Sequence, residues 1–181
     1  LRDGGYYTNW DFDLKTVNTY VQAMNALPVD YLELGYRSKP TKEYMGKFGY
    51  SPVSVLQYIR KNCTKKIALM LNEKNTCPDD LDSLLKPIQG LVDMIRIAID
   101  PSNFDRALEL AKAVKIMGFE VGFNTMYMSK WNNYKGFLDN LYKLDGIADL
   151  FCMVDSFGGV VPQEVKVIFE KVKKKTSCPI G

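Results

Sequence analysis

Histidine is absent from all 181 residues. That absence removes the commonest transition-metal ligand and the commonest general base, so Ser-His-Asp, Cys-His and HExxH chemistry are excluded within this chain. Cysteine is scarce. Cys63, Cys77, Cys152 and Cys178 show no C-x-x-C spacing, which leaves no thiolate knuckle or redox pair and fits a reduced, cytoplasmic chain whose cysteines are small buried hydrophobes, Cys152 above all. Apolar runs are too short and too interrupted to span a bilayer. Charge of one sign is also missing: the net charge is +3, and apart from Lys171 to Lys175 the basic residues are scattered. Neither nucleic acid nor a membrane is therefore the leading partner. No signal peptide is visible, although a chain starting at Leu1 rather than Met says little about what preceded it.

What is present is a globular composition, with 46% hydrophobic and 25% charged residues, enough for one domain over residues 1–181. Short apolar runs alternate with segments of helical period. Helices are expected over Asp13 to Leu27, Pro52 to Lys61, Pro78 to Ile88, Asn103 to Met117, Asn132 to Leu144 and Pro162 to Lys175. Strands are expected over Tyr31 to Ser38, Lys66 to Lys74, Val92 to Asp100, Phe119 to Met126 and Ala148 to Asp155, with CPIG at the end as another strand beginning. Lys39 to Gly49 reads as a polar loop. The unit recurs at roughly thirty residues, the period of a parallel sheet with crossover helices.

Two α/β architectures fit that pattern, an open doubly wound sheet and a TIM (β/α)8 barrel. No early strand is followed by a GxGxxG or P-loop turn, and polar residues recur at strand ends: Asp3, Glu33, Arg37, Asn72, Asp100, Asn124, Asp155 and Ser156. In a barrel those ends converge on one mouth, so the barrel is favoured. About six βα units are present, which predicts a partial barrel with Leu1 as the tail of its first strand.

LRDGG at such a tip puts Arg2 and Asp3 into the mouth, with Gly4 and Gly5 turning the chain away. Aspartate is a hard oxygen ligand for Mg²⁺ or Mn²⁺, and arginine stabilises an enolate oxygen. The same five residues also describe a solvated surface turn. The aromatic residues Tyr6, Tyr7, Trp10, Phe48 and Tyr50 either line a mouth or cover a core. Lys39, Lys42 and Lys47 read as solvated charge.

LRDGG, YLELGYRS, MIRIAID with the following FDRALELAKAVKIMGFEVGFN, and MVDSFGGVVPQEV resemble, in order, segments of the DRE-TIM metallolyases (HMGL-like), and most of all their 4-hydroxy-2-oxovalerate aldolase-like branch. The resemblance implies a divalent-metal-dependent carbon–carbon lyase acting on a 4-hydroxy-2-oxo acid or related 2-oxo acid. It assigns Asp3 to the metal, Mn²⁺ or Mg²⁺, Arg2 to the enolate, Ser156 to a substrate carboxylate and Asp155 to an orienting role beside it. Glu33 is placed near substrate or metal, or else paired with a barrel cation such as Arg96. Asn72 and Asn124 are left as polar strand caps. Two departures stand out. The family's remaining ligands, an H-x-H pair on the seventh strand, would follow Gly181, so the chain looks truncated before them. Tyr6 stands where the aldolase branch holds an acid/base histidine, so it is a proton carrier or an aromatic wall. Alternatives are a Claisen-type acyl-CoA condensing enzyme and a non-catalytic binding module. A Schiff-base aldolase ranks low because Lys66 and Lys74 flank a strand rather than lie within it. Beyond the small-molecule oxo acid, a homo-oligomer or a further C-terminal domain is left open.

Overall fold

A computed structural model describes residues 1–181. Its centre is a parallel sheet of five strands, β1 (Tyr31–Tyr36), β2 (Lys66–Asn72), β3 (Met94–Ile99), β4 (Glu120–Thr125) and β5 (Leu150–Met153), hydrogen-bonded in the order of the chain. The order has no reversal, so there is no switch point of the doubly wound kind. Past β5 the chain end takes the next place: Ile180 bridges Phe151, and Gly181 donates to the Phe151 carbonyl at 2.8 Å. A sheet that adds each strand on the same side is consistent with part of a barrel.

The strands look apolar throughout, yet their two faces differ. Ile67, Leu69 and Leu71 of β2, Ile95, Ile97 and Ile99 of β3, and Val121 and Phe123 of β4 turn to the helices and belong to one core of 37 buried residues. The inner face carries a mixed set in register: Met70 aligns with Arg96 and Gly122, and Asn72 with Ala98 and Asn124. β1 reaches that inner face twice through a bulge. Its register slips between Glu33 and Gly35, pairing Glu33 with Ala68 and Tyr36 with Met70. Residues three apart on a regular strand point to opposite faces; the extra residue turns Tyr36 back beside Glu33.

Among the helices, α2 (Leu14–Ala26) is opened by Asp13, whose carboxylate accepts from the Thr16 amide at 2.8 Å. α4 (Val53–Asn62), α6 (Phe104–Ile116) and α7 (Pro162–Lys173) follow the expected periods to within two residues. Four expectations need correction. Leu1 is not in a strand: residues 1–4 form a turn leading into the short helix α1 (Gly5–Thr8). Lys39 to Gly49 is not all loop, since α3 (Lys47–Tyr50) closes it. Pro78 to Ile88 is two 3₁₀ turns around α5 (Leu81–Leu85). Asn132 to Leu144 contains no α-helix; it falls in the 3₁₀ segments Met128–Asn133 and Leu138–Leu144, separated by Gly136 at φ +78°. Leucines at 138, 141 and 144 are spaced by three, the repeat of the 3₁₀ helix. Cys77 is exposed while the other three cysteines are buried, and all four are free thiols. No helix is long and apolar enough to cross a membrane.

Candidate active site

The carboxyl ends of the strands open onto a cavity of about 630 Å³. At one end stand Arg2, Asp3 and Tyr6. Arg2 is fixed by charge: its Nε lies 2.7 Å from Glu33 Oε2 and one terminal nitrogen 2.7 Å from Asp3 Oδ1. Glu33 in turn receives Arg96 on its other oxygen at 2.7 Å. One carboxylate thus bridges two guanidiniums on the inner face, the strong charge-assisted form of hydrogen bond. Burial by itself would lower the Arg2 pKa; the Glu33 hydrogen bond and charge together outweigh it and hold the group above its ordinary value. Arg96 is shifted the same way, burial again opposed by Glu33.

Backbone and aromatic contacts hold this end in place. Trp10 donates its indole N–H to the Arg2 carbonyl at 3.0 Å, and its ring stands edge-on to Tyr6 and Tyr36 at 4.9 and 5.5 Å between centroids. Gly5 is required here for proximity, not for a turn: a Cβ on it would sit 2.1 Å from the indole, and Gly4 itself has an ordinary helical φ of −61°. The hydroxyls of Tyr6 and Tyr36 are 2.7 Å apart. Burial first, and then that hydrogen bond, push the Tyr36 phenol well above its usual pKa, so it stays protonated at neutral pH.

The opposite wall is made of strand ends and the turns after them. Asn72, Asp100, Asn124 and Ser156 reach the cavity, as their positions predicted. Ser156 Oγ accepts from the Tyr127 amide at 3.0 Å, leaving its own O–H free to donate. Three other polar strand ends do not line it. Glu33 lies behind Arg2. Arg37 turns away and donates to the carbonyls of Leu84, Tyr50 and Ser51. Asp155 accepts from the Val160 amide at 3.0 Å, and that backbone bond, more than any other cause, depresses its pKa. That bond spans the loop that carries Ser156. Of the aromatics, Tyr6 reaches the cavity, Tyr7 is exposed and Phe48 belongs to the core. Lys39 pairs with Asp80.

Glu73 is the wall residue that sequence reasoning passed over. It follows β2 directly, lines the cavity and is only 1% exposed. Asn103 Nδ2 at 3.2 Å and Arg106 Nε at 3.1 Å hold its carboxylate. Its place immediately after KIALMLN was the available signal. Tyr36 was missed too, because the bulge that turns it inward leaves no trace in a period-two pattern.

The expected ligand for a divalent cation is Asp3. Asp3 is 82% exposed at its side chain and already paired with Arg2, and nowhere do three His, Cys, Asp or Glu side chains come together. These residues do not form a complete cation site.

No protein-family profile matches this sequence, and no curated protein does. Among solved structures, the crystal structure of the N-terminal domain of a putative aldolase from Bacteroides vulgatus is 69% identical over 99% of this chain, with a TM-score of 0.98. The match is to part of a larger protein. This chain spans 60% of that one's length. The carboxyl transferase domain of pyruvate carboxylase from Rhizobium etli matches at 17% identity and TM-score 0.58, over 71% of this chain and 24% of that one. At that identity the likeness is one of fold, and it adds a second parallel α/β relative to the architecture described above.

Proposed function

We propose that this chain forms part of a (β/α)8-barrel carbon–carbon lyase that cleaves a 4-hydroxy-2-oxo acid, or a related 2-oxo acid, through an enolate. The observation that carries the reading is Arg2: a guanidinium at the cavity edge, locked by Glu33 and Asp3, with Tyr6 lining the same cavity. The 69% identity to a putative aldolase supports it. A fixed cation at the place where an oxygen gains negative charge stabilises the transition state more than the ground state, because no reorganisation is needed when the bond breaks. Tyr6, exposed at the cavity mouth, would relay the 4-hydroxyl proton to solvent as the carbon–carbon bond opens, giving up its own proton as it takes the substrate's, and Tyr36 holds its oxygen in place. Ser156 donates to the substrate carboxylate, with Asp155 orienting its loop. Asp3 would be one ligand of a Mn²⁺ or Mg²⁺ ion, which would supply Lewis-acid polarisation of the oxo acid.

Pyruvate release from 4-hydroxy-2-oxopentanoate by the intact protein, followed with lactate dehydrogenase in the presence of Mn²⁺, tests the reading. Matched aldehyde and pyruvate yields are expected, and Arg2→Lys should lower kcat about 100-fold or more, since one ammonium cannot keep both carboxylate contacts. Tyr6→Phe separates a proton carrier from a wall: a carrier loses kcat about 100-fold, a wall changes KM alone. Free CoA released from an acyl-CoA would move the reaction to Claisen condensation. Absence of both products would leave a binding module.

A further inference from the structure

The wall opposite Arg2 has its own chemistry. Asn72 and Asn124 are both in register with Ala98, so two carboxamides flank one small side chain on the cavity floor, about 10 Å apart at their backbones given the spacing of parallel strands. Neither acts as a strand cap. Asn72 occupies the N-cap position of the turn Glu73–Asn75, yet its side chain makes no capping bond. Asn124 is only 4% exposed, and its Oδ1 is buried with no donor from the chain. A carbonyl oxygen buried at a strand end without a partner loses the hydrogen bonds it would have in water, a cost that native chains seldom leave uncompensated. Asp100 and Ser156 continue the same wall.

A carboxamide offers a donor and an acceptor side by side. A hydroxyl, which both donates and accepts, answers both. A carboxylate can only accept, whereas a hydrocarbon chain answers neither. The cavity is far roomier than a three-carbon acid requires and lies in the range that takes larger ligands.

We propose that the Asn72–Ala98–Asn124 wall binds the hydroxyls of a polyhydroxylated, sugar-acid-like chain extending beyond the reacting carbons. The geometry of the wall carries the hydroxyl recognition; that the ligand is an oxo acid rests on the lyase reading above.

Two measurements on the intact protein test this. In calorimetry with gluconate and hexanoate, six-carbon acids that differ only in their hydroxyls, gluconate should bind about tenfold or more tightly, because a site built for hydroxyls leaves its polar groups unpaired around the analogue that lacks them. Asn124→Leu should erase that margin. If Asn124→Leu loses its circular dichroism, Asn72→Leu, at a less buried strand end, serves in its place with the same expected outcome. Equal affinity for the two acids, or a margin surviving in a folded variant, overturns the proposal. The second measurement compares pyruvate addition to glyceraldehyde and to propanal. Propanal reacting as well as glyceraldehyde sinks the hydroxyl wall and leaves the lyase reading standing. Gluconate binding that depends on Asn124, with no aldol product from either aldehyde, upholds the wall and removes the lyase.

Discussion

Glu33 holds two arginines with one carboxylate, and its loss would leave both guanidiniums on the inner face without their common partner. Removing one member of such a set costs more than the set contributes, because the remaining charges stay desolvated. All three side chains are less than a quarter exposed, though not sealed, so Glu33→Ala should cost about 1–3 kcal/mol in urea unfolding. It should also uncouple Arg2 from its place: any lyase activity should fall with kcat rather than KM, since the cation aimed at the developing charge would no longer be fixed. Glu33→Gln keeps the shape and two hydrogen-bonding atoms, and an unfolding midpoint equal to that of Glu33→Ala would show that charge, not packing, dominates.

Element by element, the close approach of α3 to β1 sets the shape of the cavity rim. Gly35 lies at the bulge, and a Cβ there would stand 2.0 Å from the Phe48 carbonyl oxygen. That neighbour is backbone and cannot rotate away. Gly35→Ala is therefore expected to push α3 off the strand at a cost of about 2–3 kcal/mol, with Phe48 losing its buried place and the Tyr6–Tyr36 contact disturbed. A thermal midpoint equal to the parent's would mean that the strand end has slack the geometry does not show. At the other end of the sheet, Asp93 and Asp149 each accept from the first inner amide of the preceding strand, Ile67 and Val121, at 2.7 Å. Arg60 and Lys115 pair with them. The repeated device ties strand to strand at the face away from the cavity, where a barrel concentrates stability rather than chemistry.

Across the whole molecule, acid should act through carboxylates whose pKa values the fold depresses. Asp80 is held down to about 2, first by the Lys39 hydrogen bond and then by the Cys77 amide; Asp13 is lowered by Thr16 and Asp145 by Thr176. A group whose folded pKa is depressed contributes stability that is fully present above its ordinary value near 3.9 and disappears as pH falls through the folded value. The thermal midpoint should hold to about pH 4 and then drop toward pH 2, and Asp80→Asn should make that drop shallower; an unchanged slope would place the acid sensitivity elsewhere. A second prediction concerns the cation. A polypeptide of residues 1–181 should bind Mn²⁺ more weakly than about 1 mM by calorimetry, because one carboxylate already paired with Arg2 cannot hold the ion alone. Tight stoichiometric binding lost in Asp3→Ala would reveal ligands that the geometry does not bring together.

The sequence by itself determined the alternation of strands and helices, the parallel sheet and the polar strand ends, since burial on one side of each element imposes a period that any reader of the chain can follow. Strand-end position also pointed to Asn72, Asp100, Asn124 and Ser156 at the mouth, whereas Arg2, Asp3 and Tyr6 reach it from a turn and a short helix. Tertiary structure alone decided the rest. Whether Glu33 faced substrate or metal or paired with a barrel cation such as Arg96 depended on which strands became neighbours, and it pairs with both Arg96 and Arg2. Tyr36 came inward only because a bulge broke the period, Gly5 mattered for an indole rather than a turn, and Asn132 to Leu144 gave up the α-helix for 3₁₀ turns around Gly136. Local pattern fixes which face of an element is buried; partners across the fold are set by long-range packing, which no short stretch of sequence records.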